Sequence, residues 1–582
     1  MGQDLRVAGL RQGHRQRGAL PRLTLLTSVP QPEITSRLAG ADTGPEFDPQ
    51  SGNVGTHVLD AAVFTAGPAL NVDRTYNSLD PRRDGAFGAG WSTVYDMRLT
   101  QDQDGSGNVV IGYPDGRQVR YGKNPDGTFA PPPGRYATFR FDSAGGKLTD
   151  KSGTTYEFAG SRLAKITDAN GHAVVLTYNA ADGRLATATS RPGERSLTFT
   201  WSGAHVTGVG TGPIAGRVPT WTYAYDGDLL TKACAPAGQC TTYEYTPGSH
   251  YRSAVLDSGP ESYYRLGEDE SGSAASQIAV NLGKDAATYR DVTLPAAGAV
   301  TGTGDTAAGF NGTSSSLTLP PGAIKRSHEP AVELWFKNLP TGSGGPLLGY
   351  QDKPLDAASG TGVPILYVGT DGRLRGQFAG GGAISPITSA AAVNDGRWHH
   401  AVLSASGSTQ TLYLDGKVAG TLTGRIPDHL ALTYGQAGAA YATTPASWPG
   451  WGTTPRRHYA GTIDEVALYL HPLGPESVAA HYREALRAAD QLAKVTLPSG
   501  KVAAEAAYDV ARDRVAEYTD GNGGTWRIGP PAVYGGDDDI RRAVEVRDPA
   551  DQPYLYEYDA LAGRVVRQGI PSASAPATTT SW

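Results

Sequence analysis

The chain has 582 residues, which is too long for one hydrophobic core, so we expect two or more domains. Its 76 glycines, 40 prolines and 29 tyrosines are typical of an all-β protein with many short strands. A net charge of -6 argues against a nucleic-acid partner. No run of about 18 apolar residues is present, so we expect no membrane span.

The first segment, residues 1–41, is rich in arginine, but its apolar run Leu23-Thr-Leu-Leu26 is too short for a signal peptide. We predict that 1–41 is disordered or belongs to a misplaced start. The final segment, 571–582, contains no closing element, and we predict a flexible end. We also expect both ends to continue into a longer polypeptide.

A repeat runs through the first part of the chain, residues 42–252. One aromatic residue recurs near a strand end every 20 to 24 residues, at Phe158, Tyr178, Trp201, Tyr225 and Tyr245. Glycine turns such as Asp168-Ala-Asn-Gly171 lie between these aromatics. This period predicts stacked β-hairpins, each too small to be stable alone. The same pattern returns over 488–570.

Two motifs precede these hairpins, Arg74-Thr-Tyr-Asn-Ser78 and Phe87-Gly-Ala-Gly-Trp-Ser92. Together with the Tyr-Asp units, they resemble the YD-repeat, or Rhs, family. The resemblance implies a long β-sheet that spirals into a hollow, non-enzymatic shell, which in the family often encloses a C-terminal toxin. The family's Asp-Pro autocleavage segment and toxin are not recognisable here, so we do not expect a complete delivery device.

Cys234 and Cys240 flank a short turn between two predicted strands. Their spacing does not match a Cys-x-x-Cys metal or redox motif. We interpret them as a disulfide that staples one hairpin, which fits an oxidising, extracytoplasmic setting.

The second half contains a different set of strands. Gly396-Arg-Trp-His-His-Ala-Val-Leu403 and Thr411-Leu-Tyr-Leu-Asp-Gly416 predict paired strands, with a tight turn at Asp415-Gly416. Ala460–Tyr469 predicts another strand, and 475–486 predicts a helix. In this order the motifs resemble the laminin G-like, or concanavalin A-like, jelly-roll family. The resemblance implies a β-sandwich over 253–487, inserted between two hairpin repeats.

Residues that suggest catalysis have structural interpretations that we prefer. Neighbouring residues on a strand point to opposite faces, so His399 and His400 cannot chelate one ion. The acidic stretch Asp102–Asn108 starts like a calcium loop but has Tyr113 at its twelfth position, so we predict a hairpin turn. No hydrolase, metalloprotease or phosphate-binding motif is present, and we predict a non-enzymatic protein.

An aromatic-rich loop lies between the predicted strand pair at 396–416 and the predicted strand Ala460–Tyr469. We name its five large rings as candidate ligand-binding residues: Tyr434, Tyr441, Trp448, Trp451 and Tyr459. Rings on a loop that a rigid sheet supports are suited to stack on sugars. The alternative is that these rings are buried and anchor the loop, and different rings could serve each purpose.

The resemblance also implies a calcium ion at the rim of the sandwich. The family's metal-binding Asp corresponds to Asp464. Ca²⁺ requires about six to eight oxygen ligands, and we name Glu268 and Asp269 as candidates to complete the site. The alternative is that Asp464 accepts backbone hydrogen bonds and binds no metal.

These features predict a secreted or cell-surface shell fragment, in which a lectin-like module binds a glycan or a cell-surface protein. One alternative is a segment of a toxin-delivery protein that joins further shell polypeptide. Another is the targeting module of a polysaccharide-active enzyme. The sequence does not identify the ligand, because specificity depends on loop geometry.

Overall fold

The computed structural model describes residues 29–38, 46–102, 106–269, 272–274, 286–324, 329–339, 344–357, 360–378, 384–424, 432–534, 541–559 and 565–569. Nearly all regular elements are antiparallel strands, so the protein is all-β as predicted. Three short 3-10 helices lie at Thr35–Arg37, Val94–Asp96 and Pro445–Ser447. The predicted end segment 571–582 lies outside the described residues.

A small N-terminal sheet comes first. Its strands are β1 (Gly55–Val63), β2 (Leu70–Asn77) and β3 (Trp91–Ser92). β1 pairs with β2, and β2 pairs with β3, all antiparallel.

A long tract of antiparallel strands follows, here called the hairpin sheet. Its first part comprises β4 (Arg98–Gln101), β5 (Val109–Gly112), β6 (Gln118–Lys123), β7 (Phe129–Ala130), β8 (Thr138–Asp142), β9 (Gly145–Thr149), β10 (Thr155–Ala159), β11 (Arg162–Thr167), β12 (Ala173–Tyr178), β13 (Leu185–Arg191), β14 (Ser196–Ser202), β15 (His205–Gly210), β16 (Thr220–Asp226), β17 (Leu229–Cys234) and β18 (Cys240–Gly248). From β8 to β18 each strand pairs with the next along the chain. β4 pairs with both β5 and β11, which turns the sheet back on itself.

The sandwich domain comprises 251–485. It begins with α1 (Tyr251–Asp257) and ends with α2 (Pro475–Ala485). Its strands are β19 (Ser262–Tyr264), β20 (Ser273–Ala274), β21 (Ala287–Arg290), β22 (Thr293–Ala297), β23 (Thr306–Asn311), β24 (Ser316–Thr318), β25 (Ala331–Asn338), β26 (Gly345–Gln351), β27 (Gly362–Val368), β28 (Arg373–Gly376), β29 (Ile387–Ala392), β30 (Trp398–Ser406), β31 (Thr409–Leu414), β32 (Lys417–Thr423), β33 (Tyr434–Ala437), β34 (Ala439–Tyr441), β35 (Arg456–His458) and β36 (Ala460–Tyr469).

These strands form two packed eight-stranded sheets. The first, the helix-side sheet, has the order β22-β23-β36-β25-β30-β31-β32, with β19 also paired to β36. The second, the loop-side sheet, has the order β20-β21-β24-β33-β26-β27-β28-β29. One apolar core lies between the two sheets, while α1 and α2 cover the outer face of the helix-side sheet. The predicted turn at Asp415-Gly416 is confirmed, since both residues have positive φ.

The hairpin sheet resumes directly after α2. Its second part comprises β37 (Ala489–Thr496), β38 (Val502–Asp509), β39 (Arg514–Asp520), β40 (Thr525–Ile528), β41 (Ala532–Tyr534), β42 (Arg541–Arg547), β43 (Pro553–Asp559) and β44 (Val565–Gly569). β18 and β37 pair along their length, from Thr242 opposite Thr496 to Gly248 opposite Ala489. The sandwich domain is therefore inserted between two neighbouring strands of one sheet.

The periodic aromatics define the repeat unit of the hairpin sheet. Each lies at a bulge opposite an aliphatic residue, and the next aromatic donates a hydrogen bond to that residue's carbonyl. Tyr225, for example, lies opposite Leu230, whose carbonyl accepts from the Tyr245 hydroxyl at 2.9 Å. Equivalent bonds run from Tyr178 to Leu163, from Trp201 to Leu185, from Tyr225 to Val206 and from Tyr508 to Leu492.

This hydrogen-bond pattern continues across the insertion. Tyr245 lies opposite Leu492, and the Leu492 carbonyl accepts from the Tyr508 hydroxyl at 2.8 Å. Leu492 thus has the same relation to Tyr245 that Leu230 has to Tyr225. The sandwich domain consequently stands where the other units have a short hairpin turn.

A buried arginine attaches the N-terminal sheet to the hairpin sheet. Arg74 on β2 pairs with Asp60, donates to the Tyr243 hydroxyl at 3.0 Å, and lies 4.6 Å from the Trp91 ring centroid. The Tyr223 hydroxyl donates to Asp60 at 2.9 Å. Removing one partner of such a pair would leave an uncompensated buried charge, which costs about 3 to 5 kcal/mol. The Arg74-Thr-Tyr-Asn-Ser78 motif is therefore a structural one.

The prediction of disorder for 1–41 is wrong for residues 29–38. Ile34 and Leu38 are buried, and the backbone N–H groups of Ile34 and Thr35 donate to Asp257 at the end of α1. Gln31 exchanges hydrogen bonds with the backbone of Arg120 on β6. Apolar and polar contacts with distant elements thus order this segment, although its composition resembles that of a disordered tail. Residues 1–28 lie outside the described residues.

Candidate functional site

The aromatic-rich loop, residues 439–458, lies on the outer face of the loop-side sheet. It is built from β34, β35 and the 3-10 helix between them, and it packs over β26 and β27. All side chains of β26 and β27 are buried, because the sandwich core covers one face and this loop covers the other. The loop lies close to β26 at Gly349, where an added Cβ would lie 2.5 Å from the Ala440 Cβ of β34.

Three of the five candidate ligand-binding rings are buried under this loop. Trp448, Trp451 and Tyr459 expose 4%, 1% and 0% of their surfaces. Trp451 packs edge-on against Tyr367, with ring centroids 5.4 Å apart, and its indole N–H donates to the Thr454 carbonyl. Rings without exposed faces cannot stack on a sugar, so the structure corrects the prediction for these three and supports the anchoring alternative.

The other two rings are only half-buried. Tyr434 begins β33 and pairs with Gln351, at the end of β26. Gln351 also pairs with Gly362, and an added Cβ on Gly362 would lie 2.4 Å from the Tyr441 carbonyl. Tyr434 and Tyr441 therefore flank the same end of the loop-side sheet, and we call this end the tyrosine rim.

Charged side chains lie beside the tyrosine rim. Arg456 is paired with Tyr441 on the neighbouring strand and lies 3.9 Å from Asp356. Asp356 also accepts from Arg290 at 2.6 Å, and all three of these charged side chains are at least one-third exposed. Aromatic faces beside exposed hydrogen-bonding groups are the features that sugar recognition requires.

A second feature of the sandwich domain is a cluster of carboxylates. Asp305, Asp464 and Glu465 each place one oxygen within 4.8 Å of the others. Asp464 Oδ2 accepts from the Ala299 backbone N–H at 2.8 Å, whereas its Oδ1 is buried without a hydrogen-bond partner among the described residues. Small residues permit this crowding, since an added Cβ on Gly267 would contact Asp305.

One arginine partly compensates the cluster. Arg265 Nε lies 2.8 Å from Asp305 and 3.2 Å from Glu465, and its Nη1 lies 3.0 Å from Asp513 in the turn between β38 and β39. Burial, together with repulsion from Glu465, raises the pKa of Asp305 to about 8 although Arg265 opposes this. Burial and the neighbouring carboxylates also raise the pKa of Asp464 well above its usual range.

These donors fit part of a calcium site. Three converging carboxylates and one unpartnered buried oxygen are hard ligands of the kind that Ca²⁺ prefers. Two of the three predicted ligands, however, lie outside this cluster. Glu268 accepts from the Tyr289 hydroxyl, and Asp269 is exposed, so neither belongs to the cluster that Asp464 forms. Asp305 and Glu465 take their places, because β23 and β36 are neighbouring strands.

A third cluster resembles a serine hydrolase triad. Ser258 Oγ lies 2.8 Å from His481 Nε2, and His481 Nδ1 lies 2.9 Å from Glu333. His481 Nε2 also lies 3.0 Å from the Ala254 carbonyl, which can only accept, so that nitrogen carries a proton and cannot act as a base. The Ser258 N–H is bonded within α1 rather than presented to a substrate. This arrangement therefore does not support hydrolysis.

His399 and His400 lie on opposite faces of β30, and Cys234 and Cys240 are bonded to each other. His400 is fully buried against Glu333, whereas His399 on the opposite face bonds with Asp395 and Asp415. Cys234 and Cys240 form a disulfide between directly opposed residues of β17 and β18. β4 and β5, which flank 102–108, are paired and antiparallel, and residues 103–105 lie outside the described residues.

Two protein families match parts of the chain. Residues 311–479 match the Concanavalin A-like lectin/glucanases superfamily. Residues 46–121 match a domain of unknown function, DUF6531. The chain therefore contains a concanavalin A-like domain, which lies within the inserted sandwich.

Similarity to named proteins is partial. The tRNA nuclease WapA of Bacillus subtilis (strain 168) is 36% identical over 131 residues, which cover 22% of this chain and 5% of the nuclease. The tRNA3(Ser)-specific nuclease WapA of Bacillus spizizenii is 35% identical over 131 residues, again 5% of its length. The chain thus matches only a small fraction of the length of these relatives.

Solved structures with some likeness include two carbohydrate-active proteins. A Trypanosoma rangeli sialidase in complex with the inhibitor DANA covers 74% of this chain and 84% of its own, at 11% identity and a TM-score of 0.27. The Ruminococcus gnavus IT-sialidase CBM40 covers 27% and 85%, at 16% identity and a TM-score of 0.22. TM-scores this low do not establish a shared fold.

Trp451→Ala tests whether the buried rings anchor the loop. Removing a fully buried indole leaves a cavity against Tyr367, so we expect the sandwich domain to lose about 3 to 5 kcal/mol of stability. Tyr136→Ala on the hairpin sheet is the matched control, because that ring is 72% exposed. Differential scanning calorimetry of the full chain measures both. Equal melting temperatures for the two variants would contradict the anchoring role.

Proposed function

We propose that the protein is a non-enzymatic scaffold that presents a glycan-binding sandwich domain from a rigid hairpin sheet. The observation that carries this proposal is the concanavalin A-like domain, with partly exposed Tyr434 and Tyr441 at one end of its loop-side sheet. Tyrosine rings bind sugar faces by stacking, while exposed Arg456 and Asp356 can hydrogen-bond to hydroxyl groups. A cell-surface protein is the alternative ligand.

The hairpin sheet serves as the scaffold of this proposal. Its aromatic-to-carbonyl pattern, and the Arg74-centred cluster, support an Rhs-type shell segment. The units pack into one continuous apolar core with the N-terminal sheet, so each unit relies on its neighbours for burial. In this proposal, further shell polypeptide is a natural partner, because repeated units extend by adding strands.

A second candidate function is a segment of a toxin-delivery protein. The similarity to the WapA nucleases favours it, although the match covers 22% of this chain. The proposal does not extend nuclease activity to this chain. Under this candidate, the sandwich domain would select the target surface, while an effector would be a separate domain.

We place the protein outside the cytoplasm in this proposal. The Cys234–Cys240 disulfide supports an oxidising compartment, since cytosolic thiols are held reduced. Within the described residues, no helix has the length and apolarity needed to cross a membrane. The disulfide is consistent with a secreted or surface-exposed protein.

Calcium is the proposed cofactor of the sandwich domain. Asp305, Asp464 and Glu465 would hold it, and its charge would offset the repulsion among these carboxylates. Bound Ca²⁺ would fix the loop that carries Ala299 and Asp305 against β36. Its role would be structural, and it is not proposed to contact the glycan.

Tyr434→Ala and Tyr441→Ala test the glycan site. Each removes one ring of the tyrosine rim, and a lost stacking contact is worth about 0.5 to 1.5 kcal/mol, or a two- to tenfold loss in affinity. We expect retention on a glycan array to fall for both variants while the melting temperature stays close to that of the parent.

Tyr136→Ala provides the matched control, since it removes an exposed tyrosine from the hairpin sheet. Array binding should be unchanged in this variant. Binding that survives loss of both rim tyrosines would place the ligand elsewhere and overturn the proposed site. An array without any parent signal would favour a protein ligand.

Asp464→Asn tests the calcium site through stability and pH. The raised pKa of Asp305, about 8, means that the folded protein holds a proton that the unfolded chain releases above about 4. In EDTA, therefore, the contribution of Asp305 to the free energy of unfolding is fully present below about pH 4 and is lost as the pH rises toward 8. Ca²⁺ should offset that loss, by about 2.7 kcal/mol at a hundredfold excess over its Kd.

Asp464→Asn should abolish the calcium-dependent rise in melting temperature at pH 8 without lowering stability in EDTA, because the amide lacks the unpaired charge. Glu268→Gln is the control, and it should keep the full calcium response because Glu268 is outside the cluster. A parent protein whose melting temperature is the same in millimolar calcium and in EDTA would rule out the site.

A further inference from the structure

Glu333 lies at the centre of a buried network that joins β25 to four other elements of the sandwich domain. It lies on β25 and is fully buried. His400 from β30 lies 2.7 Å away, His481 from α2 lies 2.9 Å away, and the Tyr469 hydroxyl from β36 donates to it at 2.7 Å. The Tyr251 hydroxyl from α1 lies at 3.5 Å.

The two helices in this network are also the two connections to the hairpin sheet. α1 follows β18 after two residues, and α2 precedes β37 by three. The single side chain of His481 bridges two elements. It contacts α1 through Ser258 and the Ala254 carbonyl, and it contacts β25 through Glu333. The network therefore holds the entry and exit of the inserted domain against its helix-side sheet.

The proton positions follow from the acceptors around each ring. His481 Nδ1 faces the Glu333 carboxylate, and its Nε2 faces the Ala254 carbonyl. Both nitrogens therefore donate, and His481 is an imidazolium. Burial opposes ionisation of Glu333, but the two histidines hold its pKa well below the usual range, so it is a carboxylate at every physiological pH.

His400 is different because only one of its nitrogens has a partner. Its Nε2 donates to Glu333, whereas its Nδ1 is buried without a hydrogen-bond partner among the described residues. The ring lies beside both Trp335 and Tyr482, with centroids 5.0 and 6.1 Å away, and those two rings stack on each other. In the described part of the chain, His400 therefore has an acceptor for one ring proton and none for a second.

We propose that this network is an acid-sensitive clamp, in which protonation of His400 releases α1 and α2 from the helix-side sheet. A proton on His400 Nδ1 would add a second positive charge, buried and without an acceptor. Opening the clamp exposes the ring to water and removes that cost. Release would free the inserted domain to change its orientation on the hairpin sheet.

The other charged groups around the clamp do not provide the missing acceptor. Glu465 and Asp464 on β36 raise the pKa of Tyr251, after burial and Glu333, and have no hydrogen bond to His400. Asp415, in the turn before β32, accepts from the His400 backbone N–H and from His399 and faces Tyr482. Tyr482 and Trp335 present ring faces to His400, and the hydroxyls of Tyr251 and Tyr469 point to Glu333.

Proton counting gives the expected pH dependence. The closed clamp holds one proton, on His481, whereas the open clamp holds two below about pH 6.5 and none above it. The opening constant should therefore rise about tenfold for each pH unit in either direction from a minimum near pH 6.5. The rise in the opening constant below about pH 6.5, here called the acidic arm, depends on His400. The rise above that pH, the alkaline arm, depends on His481.

Hydrogen exchange of the full chain tests this clamp. Opening constants for the amides of α1 and α2 are obtained from protection factors between pH 5 and 8, corrected for intrinsic exchange. We expect the acidic arm in the parent and in the control His399→Gln, whose ring lies on the opposite strand face. His400→Gln keeps a donor for Glu333 but cannot be protonated, so it should lose the acidic arm and keep the alkaline one.

Two results would overturn the proposal. One is a parent opening constant that does not rise below pH 6.5, and the other is an equal rise in His400→Gln. If that variant fails to fold, exchange at the imidazole C2 position of the parent, followed by mass spectrometry, decides the question. His400 must then take up its proton only at a pH where α1 and α2 open, and a proton taken up in the closed state would contradict the clamp.

Discussion

The structure depends on the backbone pairing of β18 with β37. These strands lie on either side of the inserted domain in sequence, yet they are neighbours in one sheet from Gly248–Ala489 to Thr242–Thr496. Paired strands are about 4.8 Å apart, so both ends of the inserted domain are fixed at the spacing of one hairpin turn. A sandwich whose first and last elements are adjacent can meet that condition, and α1 and α2 do so. The scaffold is therefore continuous beneath the domain that it presents.

Buried charges then set how the domains are attached. Arg265 of the sandwich reaches Asp513 in the turn between β38 and β39, and the Gly304 N–H donates to the Val510 carbonyl in the same turn. On the entry side of the insertion, the His250 ring bonds to the Ser78 carbonyl, which follows β2. On the exit side, Arg83 donates to the Ala488 carbonyl. Burying such groups is costly unless all are paired, which favours one orientation of the domains.

Local sequence patterns predicted the elements well, but not the contacts between distant ones. The turn at Asp415-Gly416 and the aromatic period follow from nearby residues, and both were predictable. Arg265 and Glu465 are 200 positions apart, and Asp305 joins them only through the register of β23 on β36, so no motif links these residues. The aromatic loop was recognised by composition, which does not say whether a ring faces water or the sheet. Tyr434 and Tyr441 are partly exposed, whereas Trp448 and Trp451 are buried.

Excision of the inserted domain tests the continuity of the sheet most directly. Residues 247–490 are replaced by Gly-Asp, the turn at 227–228 of the preceding unit, so that Thr246 and Gln491 take the positions of Asp226 and Leu229. The account predicts that the shortened chain folds and unfolds cooperatively, with amides of β18 and β37 protected from hydrogen exchange as strongly as those of β16 and β17. A shortened chain in which β18 and β37 exchange freely, while β16 and β17 remain protected, would contradict it.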